Sequence, residues 1–300
     1  LAELGYNSSG EHQDGRILLF VGDLIDRGPD SLGVAQRVFQ LHREQRALCL
    51  MGNHEYNLLA HLYGLAGFES PKDSNRATVE DVHARTAQWH NVLAWFETLP
   101  LGVALPELRV IHACWHSASL QAVEPILGRA PTPAPDHTAF AHLEAHVVLV
   151  SPFLNGQLCP GLSTREQGDA PHEVLMKGYE LPTTPFRDNQ GTLRDHRRVQ
   201  WWKEGDGEVI ADRTQVFGHY WNCPPIRGDF APPYPSGHPK LRAWAQEIAR
   251  ELDGPGRVAL TEMACCIDFN GLTKANRERG TPRAYVGALR WPEREVVWAG

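Results

Sequence analysis

Two short polar blocks follow apolar segments that have the length of β-strands. Residues 22–28 read Gly-Asp-Leu-Ile-Asp-Arg-Gly, and residues 52–55 read Gly-Asn-His-Glu. Aspartate, asparagine and histidine side chains offer the oxygen and nitrogen atoms that bind divalent metal ions. The glycines allow sharp backbone turns and leave space for an ion or a phosphate group. These residue types, placed directly after strands, predict a metal site.

Two histidines have the same placement. His112 closes a third apolar segment, and His219, which follows Gly218, closes a fourth. In open α/β sheets, ligands bind outside the carboxyl ends of the strands, where these residues would lie. Each residue alone has an ordinary structural explanation, since Asp-Arg-Gly is common in turns and asparagine often caps helices. Metal-binding residues at four strand ends together favour a site over four unrelated structural roles.

The surrounding sequence predicts the elements that would position these residues. Strand-like segments alternate with helix-like ones, a pattern that implies a partly parallel sheet with helices outside it. Ser31 is predicted to cap the first helix, with Val34, Val38 and Leu41 on its buried face. The predicted strands lie at 16–21, 47–51, 101–105, 109–113, 215–217, 257–261, 265–269, 283–289 and 294–299, and further helices at 54–63, 79–98 and about 239–252.

The composition of the 300-residue chain is that of a folded protein. Hydrophobic residues make up 42% and charged residues 22%, so the chain can bury a sizeable core. We expect a single domain over 1–300, with an irregular insertion or cap at about 115–210. The six cysteines form no Cys-x-x-Cys pair, and no apolar segment near the start is long enough for a signal peptide or a membrane span. These features predict a cytoplasmic protein with reduced thiols and no membrane partner.

The two polar blocks, His112 and Gly218-His219 together resemble the signature of the calcineurin-like metallophosphoesterases. Within that family the match is to the phosphoprotein phosphatase branch, which includes bacterial serine/threonine phosphatases and symmetrical bis(5′-nucleosyl)-tetraphosphatases. The resemblance spans about 16–300 and is loose over 115–210. It implies an α/β fold in which a two-sheet sandwich is flanked by helices, with the active site at the C-terminal ends of the strands.

The resemblance also implies a set of metal ligands. Asp23 would bridge two divalent ions, and Asn53, His112 and His219 would complete the shell of one of them. Mn²⁺ is the expected ion, with Fe or Zn²⁺ as alternatives, because an oxygen and imidazole set suits all three. Two ions would lower the pKa of a bridging water, so that hydroxide could attack phosphorus. The implied cofactor is therefore a pair of divalent ions in the intact protein.

Other residues of the blocks would act on the substrate. Arg27 would hold phosphate oxygens with its planar guanidinium, and Asn53 would contribute to substrate binding beside it. His54 would protonate the leaving oxygen as a general acid. Asp26 would orient the imidazole of His54 and favour its charged form.

One family block is missing from the sequence. The family opens with a Gly-Asp-x-His-Gly block that supplies an Asp and a His to the other metal ion, and no such block occurs here. In relatives it lies upstream of a helix that ends much like residues 1–6, so we expect the chain to begin just after it. His12 lies in a polar, glycine-containing loop before the first strand and is not expected to replace this block. Only two tightly bound ions in this chain would indicate that other residues, such as His12 or His116, serve as the missing ligands.

Three functions are considered. The first is metal-dependent hydrolysis of a phosphoester or phosphoanhydride, with a small phosphorylated molecule, a dinucleoside polyphosphate or a phosphoprotein as substrate. The second is a nucleic-acid end-processing phosphatase, which the net charge of −7 disfavours. The third is a non-catalytic binding protein on a decayed phosphatase fold, which the intact Asp26, Arg27 and His54 oppose. Trp201 and Trp202 could stack on a nucleotide base, but a buried aromatic pair is favoured.

Overall fold

The structure is a computed structural model of the chain. It describes residues 1–71, 74–105, 108–127, 146–149, 151–162, 170–187, 193–199, 201, 214–220, 260–261, 264–266, 286–291, 293 and 295–299. The helices in these residues are α1 (Ser31–Arg43), α2 (Asn53–Leu62), α3 (Arg76–Ala84), α4 (Thr86–Phe96), α5 (Ser117–Leu127) and α6 (Pro171–Lys177), besides a 3₁₀ turn at Ala2–Leu4. Among the described helices, none is long and apolar enough to cross a membrane. The helix predicted at about 239–252 lies outside the described residues.

The described strands are short and occur along the whole chain. They are β1 (Leu18–Phe20), β2 (Ala47–Cys49), β3 (Gly102–Ala104), β4 (Leu108–Ile111), β5 (His146–Leu149), β6 (Phe153–Leu154), β7 (Gln157–Leu158), β8 (Glu180–Arg187), β9 (Leu193–Arg198), β10 (Thr214–Phe217), β11 (Leu260–Thr261), β12 (Ala264–Cys266), β13 (Val286–Arg290) and β14 (Glu295–Ala299). Each strand predicted from the sequence has a counterpart in this set.

Six of these strands form one mixed sheet in the order β11-β12-β10-β4-β3-β5. β12, β10 and β4 run parallel, whereas β11, β3 and β5 are antiparallel to their neighbours. β1 and β2 form a separate parallel pair. The parallel strands with their surrounding helices confirm the predicted α/β fold, while the packing of two sheets as a sandwich stays a prediction. The pairs β6–β7, β8–β9 and β13–β14 are antiparallel hairpins.

The first helix differs from its prediction at two positions. Asp30 is its N-cap, because the Asp30 side chain accepts a backbone N–H of the first turn. Ser31, predicted as the cap, is the first helical residue. Val34, predicted to be buried, is 48% exposed. The buried residues of this helix are Leu32, Ala35, Val38, Leu41 and His42. The prediction is therefore confirmed for Val38 and Leu41 and was wrong for Val34, in whose place Leu32 and Ala35 face the core.

The helix predicted at 79–98 is two helices, α3 and α4, that separate at Arg85. The backbone of Arg85 leaves the helical region with φ −125° and ψ 37°. The hydroxyl of Thr86 donates to the carbonyls of Val82 and His83, at 3.0 and 3.2 Å. Carbonyls at a helix end need such partners, so Thr86 satisfies the end of α3 where the chain turns.

The middle of the chain is more regular than predicted. α6 packs against α5 and α2, and its residues Leu175 and Met176 join the main hydrophobic cluster. Trp201 is buried in the same cluster, and its indole N–H donates to the carbonyl of Ala113 at 3.1 Å. The core role is thereby confirmed for Trp201, and base stacking by this side chain was a wrong alternative. Trp202 lies outside the described residues.

Candidate active site

Close contact between two glycines brings the first two polar blocks together. Gly22 has φ 93°, a left-handed conformation that favours glycine. A Cβ atom on Gly22 would overlap the backbone of Gly52, and one on Gly52 would overlap the backbone nitrogen of Asp23. The loops after β1 and β2 therefore touch through their backbones, which larger residues would prevent.

A buried carboxylate joins the same two loops. Glu55 is fully buried and accepts backbone N–H groups from Asp23, Leu24 and Gly52 at 2.9, 2.7 and 3.0 Å. Burial raises the pKa of Glu55, and the nearby charge of Asp23 raises it further. The sequence analysis assigned Glu55 no role, although a glycine followed three residues later by glutamate is the spacing of a capping box.

Strand register brings the two histidines side by side. β10 and β4 are parallel, with Phe217 opposite Ile111. His112 follows Ile111 directly, whereas His219 is separated from Phe217 by Gly218, whose N–H donates to the carbonyl of His112 at 2.8 Å. The two imidazole rings lie 5.2 Å apart between centroids. Parallel pairing thus explains how residues more than a hundred positions apart reach one place.

The predicted metal ligands converge on the Nε2 atom of His112. This atom lies 3.3 Å from His219 Nδ1, 3.3 Å from Asn53 Oδ1 and 3.4 Å from Asp23 Oδ1. Ligand atoms of Asp23, His112 and His219 all lie within 4.8 Å of one another. The structure therefore brings together all four residues that the sequence analysis proposed as ligands.

The donor atoms in this cluster fit a cation. Nδ1 of His112 donates to the carbonyl of Val21, so the lone pair that this ring would offer to a metal ion is the one on Nε2. That lone pair faces the oxygens of Asn53 and Asp23, which are themselves acceptors. Burial lowers the pKa of His219 well below its usual value, with the charges of Arg198 and His112 adding to this effect, so the ring is held neutral. A divalent ion binds between lone pairs that converge on one point and share no proton.

A histidine and aspartate pair lies beside the cluster. Nδ1 of His54 is hydrogen-bonded to the carboxylate of Asp26, and Nε2 of His54 lies 3.8 Å from Oδ2 of Asp23. Burial opposes the charged imidazole, but Asp23 and Asp26 outweigh it and raise the pKa of His54. Burial would likewise raise the pKa of Asp23, yet His112 and His54 hold it below its usual value. The geometry suits a proton donor next to a cation site.

The predicted phosphate-binding arginine is exposed at this site. The charge of Arg27 acts on both Asp23 and His54, which places it within electrostatic reach of the cluster. Arg27 has φ 56°, and Asp23, Asp26 and His219 have φ of 58°, 73° and 65°. Left-handed backbone is strained for such residues and is common at functional sites.

Comparison with known proteins agrees with this geometry. Residues 6–132 match the model of the family described as calcineurin-like phosphoesterase. Residues 6–132, somewhat less than half of the chain, are therefore similar to the calcineurin-like phosphoesterases. The match contains three of the four strand ends that carry candidate ligands, since His219 lies beyond it.

The relatives that the sequence matches include dinucleoside tetraphosphatases. A symmetrical bis(5′-nucleosyl)-tetraphosphatase of Ralstonia nicotianae is 35% identical over 96 residues, which are 32% of this chain and 32% of the relative. An asymmetrical bis(5′-nucleosyl)-tetraphosphatase, PrpE, of Oceanobacillus iheyensis is 32% identical over 121 residues, 38% of this chain and 48% of the relative. A symmetrical bis(5′-nucleosyl)-tetraphosphatase of Janthinobacterium sp. is 35% identical over 127 residues, which are 41% of this chain and 43% of the relative. The chain therefore spans less than half the length of these relatives.

His12 and His116 lie outside the cluster of candidate metal ligands. The ring of His12 packs edge-on against Tyr6 at 5.0 Å, and its Nδ1 accepts the N–H of Asp14 at 3.1 Å. Nδ1 of His116 is 2.8 Å from the hydroxyl of Ser119. Among the described residues, the group that could hold an ion consists of Asp23, His112 and His219. Neither His12 nor His116 belongs to this group.

Proposed function

We propose that this chain is a metal-dependent hydrolase of phosphoester or phosphoanhydride bonds that acts on dinucleoside polyphosphates. The observation that carries the proposal is the convergence of Asp23, Asn53, His112 and His219 beside the His54–Asp26 pair. The names of the relatives support the substrate class. Because both symmetrical and asymmetrical enzymes occur among them, the bond that is cleaved is left to product analysis.

The four converging residues would hold divalent metal, with Mn²⁺ first and Fe or Zn²⁺ as alternatives. When bound, such ions neutralise phosphate charge and make a bound water more acidic. Asp23 supplies the charge of this donor set, and its carboxylate is oriented by the N–H of His54 at 3.1 Å. Asn53 supplies a neutral oxygen next to the place where the phosphate would lie.

The proton for the leaving oxygen is assigned to His54. Because Nδ1 of His54 is engaged by Asp26, the proton available to a substrate is the one on Nε2. The raised pKa keeps more of the imidazole protonated near neutral pH, as a general acid requires. Arg27 would bind the phosphate oxygens that do not take part in bond cleavage.

A second arginine lies close to the cluster and supports a substrate with several phosphates. The guanidinium of Arg198, in β9, lies over the ring of Tyr220 at 5.7 Å, and Tyr220 follows His219 directly. Its charge contributes to the lowered pKa of His219. A polyphosphate chain extends beyond the phosphorus under attack, so Arg198 could bind a phosphate that a small monoester lacks.

A cytoplasmic location fits the described cysteines. Cys49, Cys114 and Cys159 are buried, and none of these three forms a disulfide. Free thiols are typical of proteins in a reducing compartment. We therefore keep a cytoplasmic location, and a single domain over 1–300, as parts of this proposal.

The proposal is tested with the purified chain, Mn²⁺ and three substrates: diadenosine tetraphosphate, a phosphoserine peptide and 4-nitrophenyl phosphate. Anion-exchange chromatography identifies the products, since central cleavage of the tetraphosphate gives two ADP and off-centre cleavage gives ATP and AMP. We expect the highest kcat/KM for the tetraphosphate and loss of turnover with EDTA.

Matched variants distinguish the loss of a site residue from a general loss of folding. Asp23→Asn and His112→Gln should each abolish turnover and weaken Mn²⁺ binding measured by calorimetry. Glu80→Gln also replaces a carboxylate by an amide, and His90→Gln also replaces an imidazole, but both positions are exposed, so these variants should behave as the wild type. Turnover that survives in Asp23→Asn, or that does not depend on added metal, would contradict the proposal.

A further inference from the structure

The carboxylate of Asp26 has two partners besides His54, and both belong to the start of α3. Its side chain is fully buried. Oδ2 accepts hydrogen bonds from His54 Nδ1 and from Asn75 Nδ2, and Oδ1 accepts one from the hydroxyl of Thr78. Buried polar groups need hydrogen-bond partners, so these contacts fix the orientation in which the Asp26 carboxylate meets His54.

Asn75 makes its contact instead of capping its own helix. It occupies the N-cap position of α3, where asparagine normally accepts a backbone N–H, yet its side chain makes no cap hydrogen bond. Nδ2 points to Asp26 and lies 3.5 Å from the carbonyl of His54, while Oδ1 is buried without a hydrogen-bond partner in the structure. The Asn75 side chain therefore contacts Asp26 and His54 and does not cap the start of α3.

Thr78 completes a closed chain of hydrogen bonds around Asp26. An ionised carboxylate only accepts, so the Thr78 hydroxyl must donate to it. The Thr78 oxygen can then accept from the hydroxyl of Ser31, at 3.5 Å. The Ser31 oxygen accepts the backbone N–H of Asp26 at 2.9 Å. This closed chain of hydrogen bonds begins and ends on Asp26, so both the backbone and the carboxylate of Asp26 are held in one orientation.

We propose that Asn75 and Thr78 are positioning residues for the general acid. They fix the Asp26 carboxylate, and Asp26 in turn fixes the Nδ1–H of His54 so that Nε2 faces the leaving oxygen. Small errors in the direction of a catalytic group lower the rate strongly. The inference rests on the proposed function for its catalytic consequence, but the orientation of His54 can be measured separately.

The kinetic test compares Thr78→Val, which removes the hydroxyl, with Thr78→Ser, which keeps it. With Mn²⁺, we expect Thr78→Val to lower kcat for phenyl phosphate by about tenfold at unchanged KM, since this leaving group needs the proton. For 4-nitrophenyl phosphate, whose leaving oxygen needs a proton less, the loss should be below about twofold. Thr78→Ser should restore the wild-type ratio. Equal losses on both substrates, or no restoration by serine, would overturn the proposal.

A second measurement does not depend on turnover. In the metal-free chain at one fixed pH, the proton on His54 Nδ1 should give a low-field NMR signal, assigned by its loss in His54→Gln. We expect this signal to broaden by solvent exchange in Thr78→Val and in Asn75→Leu. It should persist in Thr78→Ser and in Thr86→Val, which removes a hydroxyl bound to helix carbonyls elsewhere.

Far-UV circular dichroism shows which variants are folded, and Asn75→Leu tests the proposal if Thr78→Val is not. An unchanged signal in a folded Thr78→Val or Asn75→Leu would overturn the positioning role. If the wild type hydrolyses no phosphate substrate but the signal behaves as expected, the proposed function fails while the positioning of His54 stands.

Discussion

Replacement of His172 by glutamine should make the protein more resistant to acid. His172 is fully buried in α6, and its Nε2 accepts the hydroxyl of Tyr56 in α2 at 2.9 Å. Burial lowers the pKa of His172 from 6.5 to about 4, with the charge of Glu173 opposing this shift and that of Lys177 adding to it. The imidazole is therefore neutral in the folded protein at pH values where the unfolded chain is already protonated.

The sign and size of the effect follow from proton linkage. The unfolded state takes up a proton near pH 6.5 and the folded state only near pH 4, so stability is lost as the pH falls through this window. The difference between the two pKa values corresponds to at most about 3 kcal/mol at 1.36 kcal/mol per pKa unit. Between pH 7.5 and 4.5 we expect about 2 kcal/mol of this loss.

Urea unfolding followed by tryptophan fluorescence, in EDTA, measures the free energy of unfolding at both pH values. Glutamine keeps an oxygen that can accept from Tyr56 but does not titrate, so His172→Gln should lose about 2 kcal/mol less than the wild type on acidification. His90→Gln removes an exposed histidine and should follow the wild type. An equal loss in His172→Gln and wild type would refute the reasoning.

Three further predictions concern the site. His54→Ala should lower kcat by about 10²–10⁴-fold for phenyl phosphate and less for 4-nitrophenyl phosphate; equal losses would assign His54 another role. In Glu55→Gln, one of the three backbone N–H groups that the carboxylate accepts would face an amide donor instead. This change should lower the free energy of unfolding by about 1–3 kcal/mol and weaken Mn²⁺ binding measured by calorimetry. Glu80→Gln is the exposed control, and unchanged Mn²⁺ affinity in Glu55→Gln would contradict the role in fixing Asp23. Arg198→Gln should raise KM about tenfold for diadenosine tetraphosphate, as expected for a lost charged contact, and leave KM for 4-nitrophenyl phosphate within about twofold. Similar changes for both substrates would exclude a distal phosphate contact.

The residues that line the site could be predicted because their positions follow from chain direction. The carboxyl ends of parallel strands meet at one edge of a sheet, so Asp23 could be grouped with Asn53, and His112 with His219. The register of β4 and β10 then fixes the distance between the two histidines. None of this depends on side-chain packing, which sequence patterns describe poorly. That the two groups also meet each other is shown by the contacts of His112 Nε2 with Asn53 and Asp23.

The second layer around the site could not be predicted because it depends on tertiary contacts. Asn75 and Thr78 lie in a polar segment that reads as an ordinary helix start, and only the fold shows that Asp26 lies against them. Glu55 had a local signal, the capping-box spacing, but its bonds to Asp23 and Leu24 cross between two loops. Residues that act through another residue carry little signal of their own.

Errors in the helices have a similar cause. Val34 fits an amphipathic repeat as well as Leu32 does, and the choice between the two phases depends on which face meets the core. The interruption at Arg85 depends on a hydroxyl that binds the preceding carbonyls, a local competition that apolar periodicity does not contain. Periodicity therefore located these helices but did not fix their faces or their ends.

Backbone strain gives the site a property that the motifs alone do not imply. Among the described residues, six non-glycine residues have positive φ, and four of them are Asp23, Asp26, Arg27 and His219. Each such conformation costs on the order of 1 kcal/mol and persists only where surrounding contacts impose it. At Asp23 those contacts include the hydrogen bond to Glu55 and the glycine contact with the next loop. At Asp26 they are the bonds to Ser31 and to the start of α3. The charged groups and the candidate metal ligands are thus held in place by the fold itself. A phosphate bound there would meet dipoles that need little rearrangement, and this is the condition under which electrostatic stabilisation is most effective.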